Sequence, residues 1–274
     1  MNERIVIAGA GHMGTAIVLG LLKSDHFQVH VMDPDERRLV ELRARGLSCS
    51  TSMPPLDLAD AVVLAMPPQA FHAFAASSQG LHRHHGPVIS VMAGVQVGTI
   101  ARLLNVTEIV RSIPNTPSEV FSGMTVFFAA AGASDRTLAR AVQIFDSFGQ
   151  SVRVLDESII DPSTALCGGG PAFVAFFADA LQRFGMDAGL DEAGAIAVTL
   201  QLLRGTANLM ETTGKSALQI CQEVMTPNGT TERGIRHLER SGMKPILLEA
   251  LGKAAARSLE LGRTLESKLE GVAS

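Results

Sequence analysis

The sequence contains no tryptophan and no tyrosine, and aromatic residues make up only 4% of its 274 residues. A site that binds a ring by aromatic stacking would depend on the 12 phenylalanines, most of which lie at the spacing of buried helix or strand positions. Basic residues are not in excess, because 23 Lys and Arg stand against 27 Asp and Glu, for a net charge of −4. This balance predicts no binding to nucleic acid or to an anionic membrane surface.

Cysteine is also scarce, and Cys49, Cys167 and Cys221 lie far apart without C-x-x-C spacing. An odd number of isolated cysteines predicts neither a disulfide framework nor a thiolate metal site. The histidines of "LHRHHGP" lack a carboxylate partner and an i, i+4 pair, so we interpret them as part of a solvated loop and predict no metal site. The first apolar run, "IVIAGAG", is too short for a signal peptide or a membrane span, which predicts a cytoplasmic protein.

Short runs rich in valine and isoleucine alternate with amphipathic segments as far as about residue 160. Among these runs are "RIVIAGA", "FQVHVMD", "DAVVLAM", "PVISVMA", "TEIVRSI" and "GMTVFFAA". The alternation predicts an α/β fold of βαβ units, with an N-terminal Rossmann-type, doubly wound parallel sheet over residues 1–160. After Asp161 long segments rich in alanine and leucine predict an all-helical C-terminal domain over residues 161–274.

Three glycines follow the first predicted strand in the pattern G-x-G-x-x-G, at Gly9, Gly11 and Gly14. The first allows a tight turn, the second lets the backbone approach a pyrophosphate, and the third lets the helix pack against the strand. Free N–H groups at the start of that helix face the anion. We therefore predict a dinucleotide cofactor site that includes His12 and Met13, with the His12 side chain either touching a phosphate or facing solvent.

The second predicted strand ends at Asp33, which lies 19 residues after Gly14. A carboxylate at this place accepts hydrogen bonds from ribose hydroxyls and repels a 2′-phosphate, which favours NADH over NADPH. Two alternatives stay open: Asp33 caps a helix that starts at Pro34, or Arg37 or Arg38 binds the 2′-phosphate. The predicted cofactor is therefore NADH or NADPH.

Ligands of a doubly wound sheet bind beyond the C-terminal ends of its strands, so the loops after the later strands are predicted to border one crevice. Ala65 and Pro67 in "AMPPQ" and Asn115 in "SIPNTP" are candidate cofactor-binding residues. Asn115 is predicted to hydrogen-bond the nicotinamide ribose or carboxamide, and the alternative is an Asx-type turn without a ligand.

Seven motifs occur in order along nearly the whole chain: "GAGHMG", "AMPPQ", "VMAGV", "RSIPNTP", "GMT", "CGGGPAF" and "VMTPNGTTERGI". Together they resemble the pyrroline-5-carboxylate reductase family, whose members complete proline synthesis, and the last two motifs are the most specific. The resemblance implies NAD(P)H-dependent reduction of the C=N bond of 1-pyrroline-5-carboxylate, a cyclic imino acid, to L-proline. It also implies a helical domain that interlocks with a second subunit, in a homodimer or a larger homo-oligomer.

The same resemblance implies a substrate site in the last motif. Thr226, Gly229, Thr230 and Thr231 would hold the substrate carboxylate, and Thr231, as the catalytic residue, would also hydrogen-bond the ring nitrogen. Considered by itself, this segment also fits an ordinary helix N-cap. Gly169 in "CGGGPAF" would let the backbone approach the cofactor or the substrate.

The sequence departs from the usual pattern of the family at several positions. Pro67 replaces a lysine, Gly169 replaces a serine, Met225 replaces a polar residue, and Asn228 replaces a glycine. These differences keep two alternatives open: a reductase of another cyclic imine or a ketone with the same layout, and a catalytically silent NAD(P)-binding protein.

Overall fold

A computed structural model of the chain describes residues 2–56, 59–78 and 80–271, with side chains as far as residue 264. Its contacts group into two compact units, one of Met1–Pro171 with Gly252–Ser274, and one of Ala172–Leu251. Sequence patterns suggested instead a single boundary at residue 160. The difference arises because residues 161–171 and the described residues from Gly252 onward group with the sheet.

The first unit is built on an eight-stranded sheet. Its strands are β1 (Glu3–Ala8), β2 (Phe27–Met32), β3 (Ser48–Ser50), β4 (Ala61–Leu64), β5 (Val88–Ser90), β6 (Ile109–Ile113), β7 (Gly123–Ala129) and β8 (Gly149–Val154). Their order across the sheet is β3-β2-β1-β4-β5-β6-β7-β8. The order reverses between β1 and β4, and ligands of doubly wound sheets bind at such a switch point.

Neighbouring strands are parallel except β6 and β7, which pair antiparallel with Val110 opposite Ala129. A short 3-10 turn, Thr116–Val120, lies between these strands in place of a crossover helix. A connection this short cannot carry the chain back to the end of the sheet where β6 begins, so β7 runs antiparallel to β6. The expectation of parallel strands throughout is therefore wrong for this pair. Strand β3 was not predicted, because three residues are too few to show a pattern.

Helices cover both faces of the sheet. They are α1 (His12–Leu21), α2 (Glu36–Ala44), α3 (Phe71–Ser77), α4 (Val97–Leu104) and α5 (Asp135–Asp146). Along β1, Ile5 and Ile7 belong to the apolar core with α1, α2 and α5, whereas Val6 and Ala8 belong to the core with α3 and α4. Two apolar layers on one sheet make the doubly wound, Rossmann-type fold that was predicted, and the prediction is confirmed.

The chain is helical beyond the sheet. The elements are α6 (Ile160–Ser163), a π-helical turn (Thr164–Gly168), α7 (Gly170–Asp187), α8 (Glu192–Thr213), α9 (Ala217–Val224), α10 (Thr230–Arg240) and α11 (Met243–Gly271). The predicted all-helical C-terminal region is therefore confirmed. None of the described side chains of α7 is buried, and those buried in α8 are Ala195 and Thr199. The second unit thus leaves much of its apolar surface uncovered within one chain.

Candidate functional site

The three glycines of the first loop have different surroundings. Gly9 has a φ of +115°, and a Cβ there would lie 2.6 Å from the carbonyl of Ala65. A Cβ on Gly14 would overlap the carbonyl oxygen of Gly9, so this glycine lets α1 pack close to the end of β1. By contrast, the Cβ position of Gly11 has nothing within 4 Å. Gly11 therefore faces open space, as the glycine beside a bound pyrophosphate must.

Helix α1 begins directly after this loop with Gly11 as its N-cap, and no side chain among the described residues caps it. The first N–H groups of a helix have no partner within the helix, so this end can bind an anion. The His12 side chain is 71% exposed and its Nε2 lies 2.8 Å from Glu119 Oε1. Met13 packs against the core of the sheet, so a contact from Met13 to a phosphate would come from its backbone.

A cleft of about 520 Å³ opens beside the glycine loop. It is lined by Gly9 after β1, by Asp33 after β2, by Thr51 and Ser52 after β3, and by Pro67 after β4, with α3 along one side. Ligand sites of this volume are common in proteins, and the C-terminal ends of the strands converge here. The open loop at Gly11 and this cleft together fit a dinucleotide.

Asp33 forms the floor of the cleft and is only 3% exposed. Its Oδ2 accepts a hydrogen bond from the Ala10 N–H at 2.8 Å, and its Oδ1 accepts one from the Asp35 N–H at 2.9 Å. Helix α2 is capped by Asp35, which accepts from the Arg37 N–H, so the alternative that Asp33 is the helix cap is wrong. Each carboxylate oxygen can accept a further hydrogen bond, which leaves capacity for ribose hydroxyls.

The loops after β4 and β6 reach the same edge of the sheet. The Ala65 N–H donates to the Ala8 carbonyl at 2.8 Å, which keeps the end of β4 beside the end of β1. Asn115 Oδ1 accepts from the Met124 N–H at 2.9 Å, so this side chain ties β6 to β7 rather than forming a local Asx-type turn. The NH₂ group of Asn115 remains a donor for a ligand.

The glycine run that contains Gly169 is anchored to the sheet. The Cys167 thiol lies 3.4 Å from the Ile113 carbonyl and 3.2 Å from the Met124 carbonyl. Burial raises the pKa of this thiol, so it is protonated and can donate to them. The Gly169 N–H donates to the Thr164 carbonyl at 2.8 Å and closes the π-helical turn. Such turns occur frequently at functional sites, and this one brings Gly168, the residue before Gly169, against Ile113 at the end of β6.

The predicted substrate residues form a tight turn in the second unit. The Gly229 N–H donates to the Thr226 carbonyl at 2.9 Å, and Asn228 has a φ of +59°. A Cβ on Gly229 would overlap Thr226 Oγ1, so the threonine hydroxyl lies directly against this glycine. Helix α10 begins at Thr230 without a side-chain cap on Gly229. The N–H groups of Thr230 and Thr231 are therefore free to bind an anion.

Glu232 stabilises this turn from the first turn of α10. Its Oε2 accepts from the Asn228 N–H at 2.6 Å, and its Oε1 lies 2.7 Å from Arg236 Nη2. The hydrogen bonds from Arg236 and then from the Asn228 N–H lower the pKa of Glu232. The carboxylate of Glu232 therefore bonds the residue before the N-cap and not the N-cap itself, so the ordinary N-cap of the alternative is not formed by a side chain here. Asparagine tolerates the left-handed conformation, so the change from glycine at Asn228 preserves the turn.

Two features of the cleft were missed from the sequence. Asp35 was not recognised as the cap of α2, although an aspartate directly before a helical segment is a typical signal for one. Thr51 and Ser52 follow the short strand β3, and no pattern in the sequence marked them.

Over the described ranges, no group of three or more His, Cys, Asp and Glu side chains could hold a metal ion.

Two protein-family models match the chain. The one described as "Pyrroline-5-carboxylate reductase dimerisation" matches residues 157–261, and "NADP oxidoreductase coenzyme F420-dependent" matches residues 4–94. A pyrroline-5-carboxylate reductase from Synechocystis sp. is 32% identical over 268 residues, covering 96% of this chain and 100% of that protein. One from Methanosarcina acetivorans is 31% identical over 268 residues, covering 96% of this chain and 99% of that protein.

Solved structures agree with these relatives. The structure of a pyrroline-5-carboxylate reductase from Coxiella burnetii superposes with a TM-score of 0.87 at 30% identity, covering 95% of this chain and 99% of that one. Motifs, fold and relatives therefore agree over nearly the full length, and the resemblance found in the sequence is confirmed. The chain belongs to the pyrroline-5-carboxylate reductase family.

Proposed function

We propose that this chain is an NAD(P)H-dependent reductase that converts 1-pyrroline-5-carboxylate to L-proline. The observation that carries the proposal is the glycine loop with its adjoining cleft, in a chain whose relatives over nearly full length are named pyrroline-5-carboxylate reductases. The match to an NADP oxidoreductase model over residues 4–94 supports the same class of cofactor. A bound NAD(P)H supplies the hydride that reduces the C=N bond.

The cofactor contacts come from the first unit. The N–H groups at the start of α1 bind the pyrophosphate, and the absence of a side chain at Gly11 gives it room. Asp33 accepts hydrogen bonds from the adenosine ribose, since it lies at the end of β2 on the cleft floor. Ala65 and Pro67 border the cofactor from the end of β4. Asn115, in the loop after β6, and Gly169, in the glycine run anchored to β6 through Cys167, contact the nicotinamide half.

The substrate contacts come from the second unit. The N–H groups of Thr230 and Thr231 and the hydroxyls of Thr226 and Thr231 bind the carboxylate of the cyclic imino acid. Gly229 belongs to the same site because, with no side chain, it lets the substrate approach the backbone, while its own N–H is bonded to the Thr226 carbonyl. Thr231 also hydrogen-bonds the ring nitrogen and keeps the imine in one orientation. A dedicated acid is not needed, because the protonated iminium form of the substrate is already electrophilic.

A homodimer is part of the proposal. Phe176 and Phe184 of α7 are each 73% exposed, and an apolar groove of about 430 Å³ lies between α7 and the start of α11. The segment Glu157–Asp187 is long and apolar enough to cross a membrane by length and composition alone. In its most apolar 18-residue stretch, 11% is buried within the chain. The dimerisation model matched over residues 157–261 favours a second copy of this chain as the cover for these surfaces. The location in the cytoplasm stays a prediction.

A related substrate is the second candidate. Gly169 stands where members of the family usually carry a serine, so this position itself supplies no hydroxyl. The lost hydroxyl favours a reductase of a larger cyclic imine as the alternative.

One assay separates these functions. The purified chain is incubated with pyrroline-5-carboxylate or with its six-membered homologue, and with NADH or NADPH, while cofactor oxidation is followed. We expect the highest kcat/KM with the five-membered imine and proline as the product. A higher kcat/KM with the six-membered ring would favour the alternative, and cofactor binding without any oxidation would identify a catalytically silent protein.

A further inference from the structure

Four charged side chains lie together where β2 joins α2, at the end of the cleft that is proposed to hold the adenosine ribose. They are Asp33, Asp35, Arg37 and Arg38, two acids and two bases. A 2′-phosphate on that ribose distinguishes NADPH from NADH, and arginines at this place are the usual ligands for it. The contacts of Arg37 and Arg38 therefore decide which cofactor the site accepts.

Asp35 holds Arg37 through both oxygens of its carboxylate. Arg37 Nε donates to Asp35 Oδ1 at 2.9 Å, and Arg37 Nη2 donates to Asp35 Oδ2 at 2.8 Å. This bidentate pair uses the fork of donors that would otherwise bind a phosphate. Arg37 is not among the described residues that line the cleft.

Arg38 does line the cleft, but two carboxylates lie close to its charge. Arg38 Nη1 is 3.5 Å from Asp33 Oδ2, and Arg38 Nε is 3.9 Å from Asp35 Oδ2. Asp33 is buried, so its negative charge is weakly screened by solvent. The formal charges of the two aspartates cancel those of the two arginines, so a phosphate near Arg38 would gain little electrostatic attraction from the cluster.

We propose that Asp35 makes this enzyme selective for NADH, because it binds Arg37 and shares Arg38 with Asp33. The inference rests on the proposed dinucleotide site and extends it to the choice of cofactor. Asp33 alone does not determine the choice between NADH and NADPH, because an unpaired arginine beside it would still attract the 2′-phosphate. The pairing also explains why two arginines next to the cleft are compatible with a site for the unphosphorylated ribose.

Asp35→Asn is the variant that tests this inference. Asparagine caps a helix about as well as aspartate, so α2 is retained, while the charge that binds Arg37 and Arg38 is removed. Dissociation constants for NADH and NADPH are measured by the fluorescence of the cofactor itself, in the absence of any imine. The protein has neither tryptophan nor tyrosine, so its own emission does not interfere.

We expect the wild type to bind NADH at least about tenfold more tightly than NADPH. Asp35→Asn should shift the ratio of the two dissociation constants toward NADPH by about tenfold or more. Adding Arg37→Gln to Asp35→Asn should bring the ratio most of the way back to the wild-type value, because the arginine released by Asp35→Asn is then absent. An unchanged Tm of Asp35→Asn checks that α2 is still capped.

Glu36→Gln is the matched control. Glu36 is the next residue, its carboxylate pairs with Arg43, and the substitution removes the same amount of charge. For Glu36→Gln, the ratio of the dissociation constants for NADH and NADPH should stay within about twofold of the wild-type ratio. An equal shift in both variants, a wild type that favours NADPH, or no binding of either cofactor would overturn the inference. NADH binding without imine reduction would contradict the proposed reaction and leave the inference intact.

Discussion

Arg111 Nη2 donates a hydrogen bond to Asp161 Oδ1 at 2.7 Å, and both side chains are buried. Arg111 lies in β6 and Asp161 in α6, so the pair fastens the first helix after the sheet to one of its strands. Glu157 accepts from Arg111 Nη1 at 3.1 Å and from the Val97 N–H at 2.8 Å. Two carboxylates thus hold one buried guanidinium between β6 and the start of the helical region.

Arg111→Met is expected to destabilise the protein strongly. Removing one member of a buried ion pair leaves its partners charged and unpaired, which lowers the free energy of unfolding by about 3–5 kcal/mol. Urea denaturation provides the measurement. Arg257→Gln is the control, because Arg257 pairs with Glu260 on the surface and such a pair contributes less than about 1 kcal/mol. Equal losses in the two variants would contradict the importance given to the buried pair.

Gly11→Ser should weaken cofactor binding without loss of stability. Serine is a slightly better N-cap than glycine, so the stability should be unchanged or rise by a few tenths of a kcal/mol. The new hydroxyl would occupy the open space at Gly11 and bond the N–H groups that are proposed to bind pyrophosphate. We expect the dissociation constant for NADH to rise by about tenfold or more.

Gly132→Ser is the matched control for this prediction, since the Cβ position of Gly132 is also open and lies away from the glycine loop. Neither its Tm nor its cofactor affinity should change. Wild-type affinity in Gly11→Ser would show that the pyrophosphate does not lie at this helix.

Thr231→Ala should impair the reaction and leave cofactor binding intact. A hydrogen bond to a charged group is worth about 1.5–3 kcal/mol, so kcat/KM for the imine should fall by roughly ten- to a hundredfold. Thr231→Ser keeps the hydroxyl and should restore most of the activity. A wild-type rate in Thr231→Ala would remove this residue from the site.

Glu232 predicts a pH-dependent contribution to stability. Hydrogen bonds from Arg236 and the Asn228 N–H lower its folded-state pKa from the ordinary value of 4.5. The charged form is therefore favoured by folding, so its contribution is complete above pH 4.5 and is lost as the pH falls through the lowered pKa. The difference in Tm between wild type and Glu232→Gln should be constant above pH 4.5 and shrink as the pH falls below it. A difference that does not vary over this range would contradict the ion pair with Arg236.

Phe176→Asp should dissociate the proposed dimer. A carboxylate on this exposed apolar face of α7 could not be buried against a second copy without a large desolvation penalty. Light scattering after size-exclusion chromatography should show a dimer or larger assembly for the wild type and a monomer for the variant. Val40→Asp is the control, because Val40 is an isolated, 58% exposed residue of α2 and its substitution should leave the assembly unchanged. A monomeric wild type would contradict the proposal.

The glycine loop and the alternation of strands and helices could be predicted from the sequence because both depend on local chemistry. A glycine with a φ of +115° at position 9 is needed by the turn itself, and the apolar runs of β1 and β4 reflect burial on both faces of the sheet. The reversal of β7 was not predictable, since its apolar run is the same for either direction. Only the short connection after β6 decides it.

The sequence by itself determined the fold class, the position of the glycine loop and the family, because each depends on motifs whose residues are neighbours in the chain. The tertiary structure decided which charged groups meet. Asp33 reaches the N–H of Ala10 across 23 residues, and Arg111 reaches Asp161 across 50. Such pairs depend on the path of the backbone between them, so the role of Asp33 as a tie between loop and strand could be found only in the folded chain.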